Sequence, residues 1–279
     1  MSSCAELSAR SGEPLAGTAS AASRWLLVEV RGAWGRDAVA ESALPAPVRE
    51  RLTAWAAAPG TRVLLLRRPE RRSGPLALFH GRSGAGESEL RRLELERLED
   101  LAEADLEGGE RCGPVWLVCT HGRRDACCAR RGRPVFEALA AVLPPGALWQ
   151  SSHQGGHRFA ANVLFLPAGI QLGRVAPADA VRVAELLAGG RLPLDRYRGR
   201  TFHAPDVQAA EAHLRRASGA DALDAVRYVG GARDRLVFDT PAGRRAVRVD
   251  RQPGPERPES CGAEPAASVR FAVLAAGEG

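Results

Sequence analysis

The sequence predicts an α/β to α+β protein: two similar α/β units, then a small antiparallel extension. Three observations carry this. Short apolar runs alternate with helical patterns through residue 218. The pattern then repeats weakly: WLLVEVRGAWGRDAV at 25–39 and VWLVCTHGRRDACC at 115–128 each place a Trp-containing strand and a glycine ahead of Arg-Asp-Ala, at 36–38 and 124–126. Beyond 219, ALDAVRYVGGARDRLVFDTPAGRRAVRVD reads as antiparallel strands. The expected division is a flexible leader (1–22), an N-terminal unit (23–109), a second unit carrying the chemistry (110–218) and a β-rich extension (219–279).

The leader is small and polar. From Trp25 a buried-type strand runs into a glycine loop. PVRERLTAWAAAPG is a helix, with Val48, Leu52 and Trp55 at helical spacing and Gly60 as its stop. RVLLLRR and PLALFHG are strands joined by an arginine-rich turn at 67–72. ELRRLELERLEDLAEADLEGG, at 89–109, is expected to be a helix with Leu90, Leu93, Leu98 and Leu101 on its apolar side, closed by Gly108 and Gly109. In the second unit, Pro134 suits the first residue of a helix ending near Leu143. NVLFLPAGIQLGRV makes two strands around the turn at 167–169. PADAVRVAELLAGG and DVQAAEAHLRRASG are helices, TPAG turns the last hairpin, RQPGPERPES is a loop, and ASVRFAVLAA is a final strand.

Of 279 residues, 39 are basic and 33 acidic, for a net charge of +6, and every lysine-or-arginine position is arginine. Arginine pairs bidentately with phosphate, so nucleic acid has to be weighed. The arginines are interleaved with acids and only two tyrosines offer stacking, which disfavours that class. Nothing approaches about eighteen uninterrupted apolar residues, so no membrane span is expected. The N-terminus has neither a basic start nor an apolar block, and a cytoplasmic protein is expected. In a reducing compartment, six cysteines favour metal or redox chemistry over disulfides. Cys4, Cys112 and Cys261 are scattered and read as ordinary burial or exposure. Cys119, Cys127 and Cys128 are clustered.

Two polar knots hold the candidate ligands. The first supplies Cys119, Cys127 and Cys128; the second, WQSSHQGGHRFAAN, supplies His153 and His157. Each follows a short apolar run, as when strands deliver ligands into loops. Two thiolates and two imidazoles from two loops meet the demand of a [2Fe-2S] cluster, in which each iron takes two protein ligands. Gly155 and Gly156 let the backbone bend to aim both imidazoles at one centre. Structural zinc is the main alternative, because H-x-x-x-H is also zinc-finger spacing; the Gly-Gly pair opposes the helix a finger needs, and the cysteine gap is too wide. A thiol-dependent oxidoreductase using Cys127 or Cys128 is a third reading, weakened by the absence of C-x-x-C. His121, Asp125, Arg158 and Asn162 are candidates to hydrogen-bond the ligands or their loops, Asp125 as a helix cap. Arg123, Arg124, Arg130, Arg131 and Arg133 crowd the first knot and suit docking of an acidic redox partner.

The motifs C-T-H-G-R-R-D-A-C-C at 119–128, H-Q-G-G-H-R-F-A-A-N at 153–162 and W-L-L-V-E-V-R-G-A-W-G at 25–35 resemble those of the sucrase/ferredoxin-like proteins. That resemblance runs from Trp25 to the last strand. It implies thioredoxin-like units, the second holding a [2Fe-2S] cluster through Cys119, Cys128, His153 and His157. The doubled cysteine departs from the pattern and leaves Cys127 as an alternative ligand. No pair of carboxylates has a context for glycoside hydrolysis, so an electron carrier is favoured over a sucrase.

Overall fold

The computed structural model describes residues 2–68, 74–106, 108–232 and 234–278. Most of the arginine-rich turn expected at 67–72 lies outside these residues. The first unit is a strand β1 (Arg24–Glu29), a helix α2 (Ala46–Ala56) and strands β2 (Thr61–Arg67), β3 (Leu76–Arg82) and β4 (Glu89–Leu95). It is preceded by a short helix α1 (Cys4–Arg10) and trailed by a two-residue strand β5 (Glu110–Arg111). The second unit is β6 (Val115–Cys119), α3 (Ala126–Ala140), β7 (Leu148–Ser151), β8 (Val163–Leu166) and β9 (Ile170–Leu172). The chain continues through α4 (Ala180–Ala188), β10 (Tyr197–Arg200) and α5 (Pro205–Ser218), then β11 (Arg227–Ala232), β12 (Arg235–Thr240), β13 (Gly243–Pro258) and β14 (Pro265–Glu278).

The two units share one connectivity. β1 is parallel to β2 and antiparallel to β3, which is antiparallel to β4. β6 is likewise parallel to β7 and antiparallel to β8, which is antiparallel to β9. This is the strand order of a thioredoxin-like unit, and a parallel pair of this kind needs a crossover helix, here α2 and α3. The units join where β2 pairs antiparallel with β7, Leu66 opposite Ser151, so one ten-stranded sheet runs β10-β9-β8-β6-β7-β2-β1-β3-β4-β5. The strands β1 and β6 are central and buried along nearly their whole length, which explains their uninterrupted apolar runs. A separate four-stranded antiparallel sheet, β11-β12-β13-β14, packs against α5 through Val207, Ala210, Leu214, Phe238 and Val249. None of the described helices is long and apolar enough to cross a membrane.

Several expectations are corrected. Residues 89–109 do not form a helix: 89–95 are a strand and Leu98–Ala102 a 3-10 turn. The three-residue spacing of Leu90 and Leu93 puts them on opposite faces of a strand, and both faces are covered, Leu90 beside Trp25 and Phe79, Leu93 and Leu95 on the α2 side. Gly109 does not close the first unit, because Glu110–Arg111 still pair with β4. The N-terminal 22 residues are not a loose leader. Ser3 and Glu6 make a capping box on α1, and Cys4, Ala5 and Ser8 are buried. The helix α3 starts eight residues before Pro134, at Ala126, because Asp125 caps it by accepting from the Cys127 amide at 2.8 Å. RQPGPERPES is largely strand. β12 pairs with β13 only as far as Val247, so beyond it β14 is the one strand paired with β13 among the described residues. Prolines at 253, 255 and 258 are tolerated on its other edge.

Candidate metal centre

β6 and α3 bring up the thiols. Cys119 ends β6, and Cys128 stands on the first turn of α3. The two elements approach closely because residue 132 is glycine: a Cβ there would lie 2.1 Å from the Cys119 carbonyl oxygen. β7 delivers the histidine loop. The ligand-type atoms of Cys119, Cys128 and His153 all lie within 4.8 Å of one another, with Cys128 Sγ at 3.7 Å from His153 Nδ1. His157 is the neighbour of this trio, its ring centroid 5.1 Å from that of His153. Its Nε2 faces the Glu259 carbonyl, which can only accept, so Nε2 carries the proton and Nδ1 is the bare nitrogen. That Nδ1 is buried and has no hydrogen-bond partner among the described residues.

The electrostatics favour an anionic sulfur here. The Cys128 thiol, donating to Cys119, holds Cys119 well below the ordinary thiol value against the opposing effect of burial, with His153 assisting. The same bond pushes Cys128 up. Burial pushes His157 down, opposed by Asp125 with an oxygen 3.8 Å from Nε2, so the ring is neutral and ready to ligate.

The residues expected to support the ligands have different surroundings, and Arg158 is not directed at the ligands. His121 is buried; its Nε2 donates to the Gly35 carbonyl at 2.7 Å, and its Nδ1 accepts from the His153 amide at 3.2 Å. Asn162 is fully buried and donates to the Gly156 carbonyl at 2.9 Å. Arg158 turns away, to Glu13 at 3.0 Å, and lies over the Phe159 ring at 4.5 Å. Asp125 caps α3 and also accepts from the Cys261 amide at 2.8 Å. Cys127 is not with Cys119. Its sulfur belongs to a second group, Cys4, Asp125, Cys127 and Cys261.

Sequence reasoning missed four contributors. Cys4 and Cys261, read as scattered, converge on Cys127. Arg62 donates to the His153 carbonyl at 3.1 Å. Arg198, 1% exposed, donates to the Gly155 carbonyl at 3.2 Å and to Asn162 Oδ1 at 2.8 Å. The histidine loop is thus clamped by Arg62 of β2 and Arg198 of β10, and closed on itself by Asn162 just before β8. No spacing rule links positions 4, 127 and 261, and buried arginines carry no local signature. The glycine pair did carry one: Gly155 and Gly156 have φ of 89° and 67°. A cleft of about 480 Å³ opens beside His153, lined among others by Arg36, Arg62, His121 and Arg124. Arg123, Arg124 and Arg130 are exposed around the first knot, and Arg131 pairs with Glu6 at 3.4 Å.

Fold and site define an α/β protein of doubled thioredoxin-like topology, with two sulfur-containing groups of metal-ligand type at the start of one helix. The family model for sucrase/ferredoxin-like proteins matches residues 15–199, more than half of the chain. The chain belongs to the sucrase/ferredoxin-like family. Over 96 residues it is 32% identical to Altered inheritance of mitochondria protein 32 of Saccharomyces cerevisiae, covering 30% of this chain and 31% of that one. Over 118 residues it is 28% identical to the protein of that name from Meyerozyma guilliermondii, covering 38% and 42%. The matched stretch is therefore less than half the length of these curated relatives. Among solved structures it is similar to a thioredoxin-like [2Fe-2S] ferredoxin from Aquifex aeolicus, at 22% identity and a TM-score of 0.28, covering 30% of this chain and 88% of that chain.

Proposed function

We propose that this protein is an electron carrier or redox sensor whose [2Fe-2S] cluster is held by Cys119, Cys128, His153 and His157. The observation that carries the reading is the donor set. Two thiols and an imidazole nitrogen lie within 4.8 Å of one another, and a second imidazole beside them has a buried, unpartnered nitrogen. Two thiolates with two imidazoles suit a two-iron cluster of raised potential. When bound, such a cluster takes up one electron and releases it.

The chain's own residues have separable tasks. Cys119 and Cys128 supply the negative ligands. His153 and His157 supply neutral ones, with His121 fixing the backbone of His153 and the Glu259 carbonyl holding the Nε2 proton of His157. Arg62 and Arg198 place positive charge beside the loop and offset the thiolates. An acidic partner protein would dock on Arg123, Arg124, Arg130 and Arg131, near the cleft that reaches His153. Cysteines kept as thiols suit a reducing compartment, and the cytoplasm is the proposed location.

The test is the visible spectrum and the iron and sulfide content of the purified protein. A red-brown protein with about two irons and two sulfides per chain is expected. Replacing His153 or His157 by Cys should keep a cluster while shifting its bands and lowering its potential. Colourless protein holding zinc at these four residues would end the proposal.

A further inference from the structure

The structure assigns a second metal centre with thiol ligands of its own: a mononuclear site for a thiolate-preferring divalent cation, of which zinc is the match, formed by Cys4, Cys127 and Cys261 with Asp125 at its edge. The three sulfurs make a near-equilateral triangle, Cys4 to Cys127 at 3.5 Å, Cys127 to Cys261 at 3.4 Å and Cys261 to Cys4 at 3.6 Å. Tetrahedral zinc with Zn–S bonds of about 2.3 Å has sulfur–sulfur edges of roughly 3.8 Å, so small outward movements admit the ion. A disulfide needs about 2.05 Å, and three nearly equal separations single out no pair for one. Both Asp125 carboxylate oxygens lie 3.9 Å from Cys4 Sγ. That carboxylate, or a water beside it, completes four-coordination.

The triangle is assembled from three distant parts of the chain. Cys4 opens α1, Cys127 lies in the first turn of α3, and Cys261 sits at the tip of the β13–β14 hairpin. Convergence is enforced around it. Asp125 accepts from the amides of both Cys127 and Cys261 at 2.8 Å. Buried Glu13 joins α1's trailing loop to Arg257 of the hairpin and to Arg158. Packing alone would not select three cysteines at these positions; a soft cation would. Each thiol gives its proton to solvent as its sulfur takes the ion, and the oxidation state of the metal does not change. The bound ion would staple α1 and the hairpin tip to α3, and the tip supplies the carbonyl that holds the His157 proton.

The experiment is metal analysis of the full chain purified without chelator, with the visible spectrum recorded on the same sample. The expected result is about one zinc per chain in addition to any iron. Cys261→Ser, at an exposed hairpin tip that cannot unfold the core, should lose that zinc while the visible bands persist. Cys4→Ser should do the same. Cobalt(II) offered to protein grown without zinc should give thiolate-to-cobalt charge-transfer bands that both variants lack. The proposal is overturned if the wild type binds neither zinc nor cobalt, if the variants keep full zinc, or if mass analysis finds two of these cysteines joined as a disulfide. Loss of zinc with the bands intact, against loss of bands with zinc intact, separates failure here from failure of the cluster reading.

Discussion

Gly156 offers the sharpest test of how the histidine loop is held. Its backbone sits at φ 67°, ψ 52°, in the left-handed region. A Cβ there would lie 2.5 Å from Arg198 Nη2, 3.0 Å from Arg198 Cζ and 3.0 Å from Phe159 Cδ2. Gly156→Ala therefore carries two costs. The left-handed backbone costs about 1–2 kcal/mol with a Cβ present. Displacing the guanidinium strains its bonds to Asn162 and the Gly155 carbonyl, and a hydrogen bond from a charged donor is worth about 1.5–3 kcal/mol. The total is roughly 3–5 kcal/mol, which in a chain of this length lowers the melting temperature by roughly 5–10 °C. Differential scanning calorimetry reads the shift, and the visible spectrum reads whether the two imidazoles still meet the thiols. Gly156→Asn separates the causes: asparagine tolerates the left-handed backbone but keeps the Cβ, so it should recover only about 1 kcal/mol. An alanine variant with unchanged melting and unchanged spectrum would refute the clamp described here.

Three further outcomes are expected. If the Nε2 proton of a ligating histidine binds more tightly on reduction, the potential should fall with rising alkaline pH by up to ~59 mV per unit, one proton per electron; a flat potential from neutral to alkaline pH would rule the coupling out. Arg123→Glu with Arg124→Glu should slow electron exchange with an acidic partner and flatten its salt dependence, read by stopped flow, and an unchanged salt slope would remove these arginines from docking. Glu13→Gln should destabilise the chain by about 3–5 kcal/mol, because it leaves Arg257, 4% exposed, and Arg158 without their counter-charge; a denaturant midpoint equal to wild type would show that the buried cluster contributes nothing.

Central strands were legible in the sequence because their environment is simple. β1 and β6 are covered on both sides, so their inner residues, Trp25 to Val28 and Val115 to Cys119, form unbroken apolar runs and the pattern has no competing reading. β4 was illegible for the opposite reason. Its leucines serve two different cores, and their three-residue spacing imitates one helical face. The duplication was legible in a few matched residues, and the shared connectivity of the two units agrees with it. Of the site, what was legible was local: two knots, a glycine pair and a helix cap at Asp125. What was not is everything long-range. Cys4 and Cys261 reach Cys127 across 123 and 134 positions, and nothing near either residue announces the meeting. The first unit is also drawn into the site by contacts invisible from composition. The Gly35 carbonyl fixes His121, which in turn fixes the His153 amide, and Ser152 is held by β2 through the Leu65 carbonyl at 2.8 Å.

The doubled cysteine shows why a local reading could not choose between neighbours. Consecutive residues on an α-helix point about 100° apart, so Cys127 and Cys128 cannot face the same centre. Because Asp125 starts the helix one residue before them, both side chains are already committed to helical directions. Cys128 turns under β6 toward Cys119 and His153, fully buried. Cys127 turns toward α1 and the hairpin tip, where Cys4 draws its thiol down to about 6 by donating to it, against the opposing effect of burial. One cap therefore sorts one dipeptide into two groups. It follows that swapping their roles requires rewinding the helix start, so removing the Asp125 carboxylate disturbs both groups at once. Removing either sulfur alone disturbs only its own.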